Sequence, residues 1–236
     1  NSPLVQNLLN AGAIIIGRPN TPELSMRLTT DNPLYGLTRN PWNLEMSPGG
    51  SSGGSSAAVA AGMVPLATGS DGGGSIRIPS GVCGMSGFKP TQGRIPAGPA
   101  PLGAADLSTV GPMAQRIRDV ALALDVVVGP DANDLRSLPA LDGSFRSACD
   151  APEAPTRLLW CTSIDGSPVD DEVNEITQAA IARIRAAGVE VIETDPIMPD
   201  VMKPFLLLFY GNMVPGYRHL IGTPAFDEIT PGLQTL

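Results

Sequence analysis

The sequence predicts an α/β fold, and two observations carry that expectation. Helical apolar periodicities alternate along the chain with short β-branched runs, and glycines close the helical stretches. Hydrophobic residues make up 42% of the 236 residues and charged ones only 16%. That is enough to build a sizeable core and too apolar for a largely disordered chain.

Taken in order, Leu4–Asn10 reads as the end of a helix stopped by Gly12, and Ala13–Ile16 as a short buried strand. Ala57–Ala61 is an apolar, helix-forming run. Arg116–Val128 predicts a further helix, followed by a turn at Gly129–Pro130. Arg157–Cys161 predicts a strand. Val173, Ile176, Ala180, Ile181 and Ile184 form one apolar helical face, Gly188 stops it, and Val189–Thr194 is the next strand. We read residues 1–236 as part of a single domain, with a motif-bearing core over 1–130. An exposed connection, rich in Asp, Pro and Ala, is expected over 131–155, and a further α/β part over 156–236.

Composition excludes several classes of function. Fifteen Lys and Arg against 23 Asp and Glu give a net charge of −8, the wrong sign for nucleic acid or an anionic membrane. Neither apolar candidate, Ala57–Leu66 or Phe205–Tyr210, reaches the roughly 18 residues of a membrane helix. Cys83, Cys149 and Cys161 are odd in number and widely spaced, which fits a reducing, cytoplasmic compartment and no disulfide framework or zinc site. The lone histidine, His219, is poor material for a Ser-His-Asp triad or a multi-histidine metal site, and it reads as a helix surface or core residue. No cofactor and no metal are called for. The chain opens on Asn1, not Met, and reads as an excerpt of a longer protein, with room for a targeting segment upstream. Its oligomeric state, a homo-oligomer included, is left open.

The informative region is Met46–Thr91. Of 27 glycines, 14 fall between Gly49 and Gly98, in two Gly/Ser clusters, Gly49–Ser56 and Gly69–Ser75. Such composition often means a flexible linker. Here the first cluster runs straight into an apolar helical stretch and the second lies inside hydrophobic sequence. A buried loop must satisfy its backbone groups, so a built site is the better reading. A phosphate loop fits poorly: GSDGGGS lacks the Gly-Lys-Ser/Thr ending, and no acidic residue stands at a ribose position. Cys83 would need His219 as its activating partner and reads as a packing residue. Lys203 reads as a solvated or snorkelling lysine.

Serines in glycine loops without histidine suit nucleophilic acyl chemistry. Consecutive glycines let several backbone N–H groups converge with no Cβ in the way, and one such donor is worth about 3 kcal/mol in a transition state. Gly72, Gly73, Gly74 and Ser75 are therefore the expected oxyanion hole, with the Ser75 hydroxyl attacking from beside it.

The segments GGSSGGSSAAVAAG and GSDGGGSIRIPSGVCGMSGFKPTQGRIP closely resemble the amidase signature family. So do their flanks, GRPNTPE and VGPMAQRIRDVALALDVVVGP, and the resemblance runs from about Leu4 to Pro130. It implies a mixed, twisted sheet covered by helices on both faces, and hydrolysis of a small-molecule amide by a Ser–cis-Ser–Lys triad. Carried over by position, Ser75 is the nucleophile and Ser51 the bridging serine, 24 residues apart as the motif requires. Ser51 would follow a cis peptide from Gly50. Ser52 would support the loop through its hydroxyl, and Asp71 and Arg77 would brace the nucleophile loop.

The same resemblance places the base lysine well upstream of the cis-serine, before the helix whose tail is Leu4–Asn10. This chain holds only Lys89 and Lys203, and Lys89 belongs to the GFKPT element, a different position. Arg18 cannot substitute, since a guanidinium stays protonated; Arg18-Pro19 also departs from the family's usual Lys-Thr. The triad lysine is thus expected outside this chain, and the chain alone is expected to be inactive. The leading expectation is an amidase acting on a carboxamide. The alternatives are the amidase subunit of an aminoacyl-tRNA amidotransferase, where glutamine typically stands in place of Ile78, and a non-catalytic remnant used as a binding module. Ala97–Thr109 is the expected wall of an acyl pocket.

Overall fold

The computed structural model describes residues 1–98, 107–196 and 198–234. By packing, the chain divides into two compact units: Asn1–Asp150 together with the segment from Phe209 onward, and Ala151–Leu208.

The first unit opens with helix α1 (Pro3–Asn10), capped by the Ser2 side chain with Pro3 in its first turn, a position where the missing N–H costs nothing. Gly12 ends it at φ 89°. A short antiparallel pair follows, β1 (Asp31–Asn32) and β2 (Gly36–Leu37). Helix α2 (Gly53–Ala60) starts inside the first Gly/Ser cluster, earlier than the apolar run alone predicts. Strand β3 (Leu66–Asp71) leads into the second cluster, and helix α3 (Arg77–Val82) leaves it. Then come β4 (Ser86–Gly87), β5 (Thr109–Ala114), α4 (Ile117–Val127) and α5 (Phe145–Asp150). Strand β5 is central in a three-stranded antiparallel sheet of order β3-β5-β4, with Asp71 opposite Thr109.

The core lies where α1 and α4 pack against the end of β5: Leu4, Ile95, Ala114, Val120, Leu124 and Val127 are buried together. Helix α4, expected over Arg116–Val128, forms within one residue at each end. The stretch after it is mostly exposed, yet Asp134 is buried and ties it back by accepting from the Ala97 N–H at 2.9 Å.

One expectation fails. Ala13–Ile16 forms no strand, and Ile14, Ile15 and Ile16 are 88%, 52% and 73% exposed. A strand needs a neighbour to take its backbone hydrogen bonds, and this run has none among the described residues.

The second unit is a strand–helix–strand arrangement. Strand β6 (Arg157–Trp160) pairs in parallel with β7 (Glu190–Glu193), and α6 (Asp171–Ala186) connects them. Asp170 caps α6 by accepting from the Glu172 N–H at 3.0 Å. Asp171 and Glu172 begin the helix, and Arg183 and Arg185 end it, charges that complement its dipole. Gly188 stops it at φ 90°. Of the predicted apolar face, Ile181 is buried while Val173 and Ile176 stay more than half exposed.

Helix α7 (Met202–Tyr217) follows, then two short helices, α8 (Pro224–Asp227) and α9 (Pro231–Gln234). With antiparallel and parallel pairs among helices, the chain has the α/β character its sequence predicts. No helix among the described residues is long and apolar enough to cross a membrane.

Candidate active site

The two Gly/Ser clusters fold into two loops that touch. Between them runs a backbone hydrogen bond, from the Ser52 N–H to the Ser75 carbonyl at 3.2 Å. The Ser52 hydroxyl adds a second tie: it accepts from the Ser70 N–H at 3.2 Å and donates to the Ser70 carbonyl at 3.3 Å. Gly69 makes room for it, since a Cβ there would lie 2.6 Å from Ser52 Oγ. One turn along α2, the Ser55 hydroxyl donates to the Thr68 carbonyl at 2.8 Å. Ser52 precedes α2 and Ser55 lies in its first turn, and both hydroxyls reach across to the backbone of β3.

The first loop is held from its other side by residues 20–30. The Thr30 hydroxyl donates to the Gly49 carbonyl at 2.7 Å, and the Gly54 N–H to the Asn20 carbonyl at 3.1 Å. Both approaches demand glycine: a Cβ would meet Thr30 Oγ1 at 2.1 Å from Gly53, and the Asn20 carbonyl at 2.2 Å from Gly54. The Gly50–Ser51 peptide is cis. Ser51 is 5% exposed, and its side chain makes no hydrogen bond among the described residues.

The second loop is organised around Asp71, fully buried at the end of β3. Its carboxylate accepts from the N–H groups of Gly74 (2.7 Å), Ile76 (3.2 Å) and Arg77 (3.2 Å), and from the Arg77 guanidinium at 2.8 and 2.9 Å. Burial alone would raise this carboxyl's pKa; the Arg77 side chain and the three amides more than offset that and hold it below the ordinary value. The acid answers by raising the pKa of the Arg77 guanidinium. Gly74 carries φ 118°, and a Cβ there would strike Ile78 Cδ1 at 2.7 Å.

All the predicted residues, Ser51, Ser52, Asp71, Gly72, Gly73, Gly74, Ser75 and Arg77, lie on these two loops. The Gly74 N–H, expected to serve an oxyanion hole, donates to the Asp71 carboxylate at 2.7 Å. The hydroxyls of Ser51 and Ser75 are not hydrogen-bonded to each other. Sequence reasoning also passes over Asn20 and Thr30, and it notes Ile78 only as the place of an expected glutamine. Ile78 packs against both loops, with its Cγ2 3.3 Å from the Cβ position of Gly49. The signal for these residues is the run of adjacent glycines, each implying a close neighbour without saying which.

The residues set aside stay outside the site. Cys83 is buried, its thiol facing the Pro48 carbonyl at 3.6 Å and Ser56 Oγ at 3.4 Å. Burial raises its pKa despite the Ser56 contact, which suits packing and not nucleophilic attack. Lys89 Nζ donates to the Pro90 carbonyl at 2.9 Å. Lys203 and His219 are exposed. Among the described residues, no three His, Cys, Asp or Glu side chains gather as a metal site would require. Of the expected acyl wall, residues 99–106 lie outside the described residues.

The fold and the site together define an α/β protein built around a pair of hydrogen-bonded glycine–serine loops. Its residues 1–220 match the family model described as Amidase, and the chain belongs to the amidase signature family. It is 40% identical to an acylamidase of Rhodococcus erythropolis, over 92% of this chain and 45% of that protein. It is 43% identical to an indoleacetamide hydrolase of Bradyrhizobium japonicum, over 85% of this chain and 43% of that one. Among solved structures, a bacterial aryl acylamidase of the same family superposes with a TM-score of 0.87 at 31% identity, over 99% of this chain and 50% of that chain. Relatives named as glutamyl-tRNA(Gln) amidotransferase components match at 38 to 41% identity. The chain thus spans about half the length of the relatives it matches.

Proposed function

We propose that the protein hydrolyses the C–N bond of a carboxamide through an acyl-enzyme on Ser75. The observation that carries this reading is the direct tie between the two loops, Ser52 N–H to Ser75 carbonyl, which sets the segment bearing Ser51 beside the one bearing Ser75. Membership of a family whose relatives include an acylamidase and an indoleacetamide hydrolase supports it.

In this reading a neutral lysine, kept uncharged by burial, takes the Ser51 hydroxyl proton while Ser51 takes that of Ser75. Ser75 Oγ attacks the amide carbonyl, and the oxyanion collects the N–H groups of Gly72, Gly73 and Ser75. The proton returns through Ser51 to the departing amine. Water then attacks the acyl-enzyme and frees the acid. Asp71 takes no part in proton transfer; it holds the Ile76 and Arg77 amides so that the loop keeps one shape. In this reading the lysine is supplied by a part of the protein outside this chain, as the family resemblance implies; Lys89 donates to the Pro90 carbonyl at 2.9 Å.

The amidotransferase reading has its relatives in favour, but Ile78 puts an apolar side chain against both loops where that reading expects glutamine. The stand-alone amidase is the better fit. A fluorophosphonate probe applied to the full-length protein tests it. Mass spectrometry is expected to find the label on Ser75, with Ser75→Ala abolishing amide turnover. A label on Cys83, or turnover that survives Ser75→Ala, would overturn the assignment.

A further inference from the structure

Not every glycine of the nucleophile loop is there for its backbone. Gly74 needs its positive φ, and a Cβ on Gly69 would strike Ser52. Gly72 differs from both. Its φ lies outside the left-handed region, and among the described residues a Cβ there would meet only ordinary contacts: Phe209 Cε2 at 3.5 Å, the Leu107 carbonyl oxygen at 3.7 Å and Ser108 Cβ at 3.7 Å. Neither backbone geometry nor crowding by the described residues excludes a side chain. What glycine leaves instead is a gap one carbon deep, between a candidate oxyanion amide and the edge of an aromatic ring. Phe209 is braced in turn by Tyr210, edge to face with ring centroids 5.5 Å apart.

We propose that Gly72 and Phe209 set the size of the acyl group, so that the substrates are carboxamides whose acyl chain carries an apolar carbon beyond the acetyl methyl. This rests on the Ser75 reading, and the side of the scissile bond follows from it. Ser51 hands a proton to the departing amine, so the amine faces the loop of Gly49–Ser52. The gap at Gly72 is bounded by Leu107, Ser108 and Phe209, none of which belongs to that loop. The acyl group is what remains to fill it. An extra carbon packed there is desolvated against Phe209, and one such methylene is worth about tenfold or more in kcat/KM.

The test compares propionamide with acetamide on the full-length enzyme. Wild type is expected to prefer propionamide by about tenfold. Gly72→Ala keeps the backbone N–H and fills the gap, so that preference is expected to vanish or invert. Phe209→Ala deepens the gap and is expected to move the preference to isobutyramide. Acetanilide, which enlarges the amine side instead, is expected to keep its ratio to acetamide in Gly72→Ala. A wild type that does not prefer propionamide, or a Gly72→Ala variant that loses both aliphatic amides equally while melting like wild type, overturns the proposal. So does a selective loss of acetanilide. In the Ser75→Ala background, NMR-detected binding of propionate against acetate reads the same gap without turnover. There Gly72→Ala is expected to erase the preference for propionate, and an unchanged preference overturns the proposal whether or not the hydrolytic reading stands.

Discussion

Arg77 grips Asp71 with two nitrogens, Nε at 2.9 Å and Nη2 at 2.8 Å, across a side-chain boundary where the acid is fully buried and the arginine 56% exposed. Asp71 also receives three backbone N–H groups of the same loop. The pair is therefore less an ion pair on the surface than a fastening of the Gly72–Ser75 loop.

Asp71→Asn removes the charge and part of the acceptor set. The buried N–H groups left short of an acceptor cost about 1–3 kcal/mol, to be read as a lower midpoint in urea. Its pH dependence has a definite sign. The Asp71 pKa is lowered on folding, so its contribution is complete above the unfolded carboxyl pKa of about 3.9 and fades as pH falls through the lower folded value. The stability gap between wild type and Asp71→Asn is expected to be constant near neutrality and to narrow only below about pH 4. A gap that narrows already near pH 6 would contradict this account.

Ser52→Ala deletes the hydroxyl that both accepts from and donates to Ser70. The expected loss is about 1–2 kcal/mol in stability. In the full-length enzyme kcat should fall more than KM rises, since the hydroxyl positions one loop on the other. Calorimetric melting and steady-state kinetics on the same preparation separate the two effects.

Two glycine substitutions should behave oppositely. At Gly54 a Cβ would meet the Asn20 carbonyl oxygen at 2.2 Å and its nitrogen at 2.6 Å, both backbone, and Gly54→Ala is expected to destabilise by about 1–3 kcal/mol. Gly211, inside α7, has nothing among the described residues within 4 Å of its Cβ position, and Gly211→Ala should stabilise by about 0.5–1 kcal/mol. Thermal melting of both variants checks the contrast.

Alkylation should rank the cysteines by burial. Cys83 is 1% exposed with its thiol pKa raised, whereas Cys149 and Cys161 are partly accessible. Iodoacetamide at pH 8 is expected to modify Cys149 and Cys161 first, and Cys83 only once the protein is unfolded. Peptide mapping over time distinguishes this order from uniform reaction.

What the sequence makes legible is what local chemistry dictates. Gly12 and Gly188 end their helices because a left-handed residue is needed there, and the two Gly/Ser clusters announce close backbone approach. What it hides depends on distant partners. Ala13–Ile16 has strand composition but no neighbour among the described residues to pair with. Strand β5 escapes notice because Gly111 and Pro112 interrupt its pattern, although Gly111 is required: a Cβ would meet the Phe88 carbonyl oxygen at 2.1 Å. Helix α7 escapes for the same kind of reason, since Pro204, Gly211, Pro215 and Gly216 obscure its periodicity. At the site, the glycines are readable and the residues filling the space beside them, Thr30, Asn20 and Ile78, are not. Nor can sequence show that the Gly74 N–H is spent on Asp71.

The Ser52 ties also bear on how the protein breathes. Its N–H is bound to the Ser75 carbonyl and its hydroxyl closes on the Ser70 backbone, so neither loop can detach without unfastening the other. Amide protons of Ser52 and Ser70 should therefore exchange with solvent together, as one cooperative opening unit and not as two frayed segments. A molecule seated on either loop would slow exchange in both.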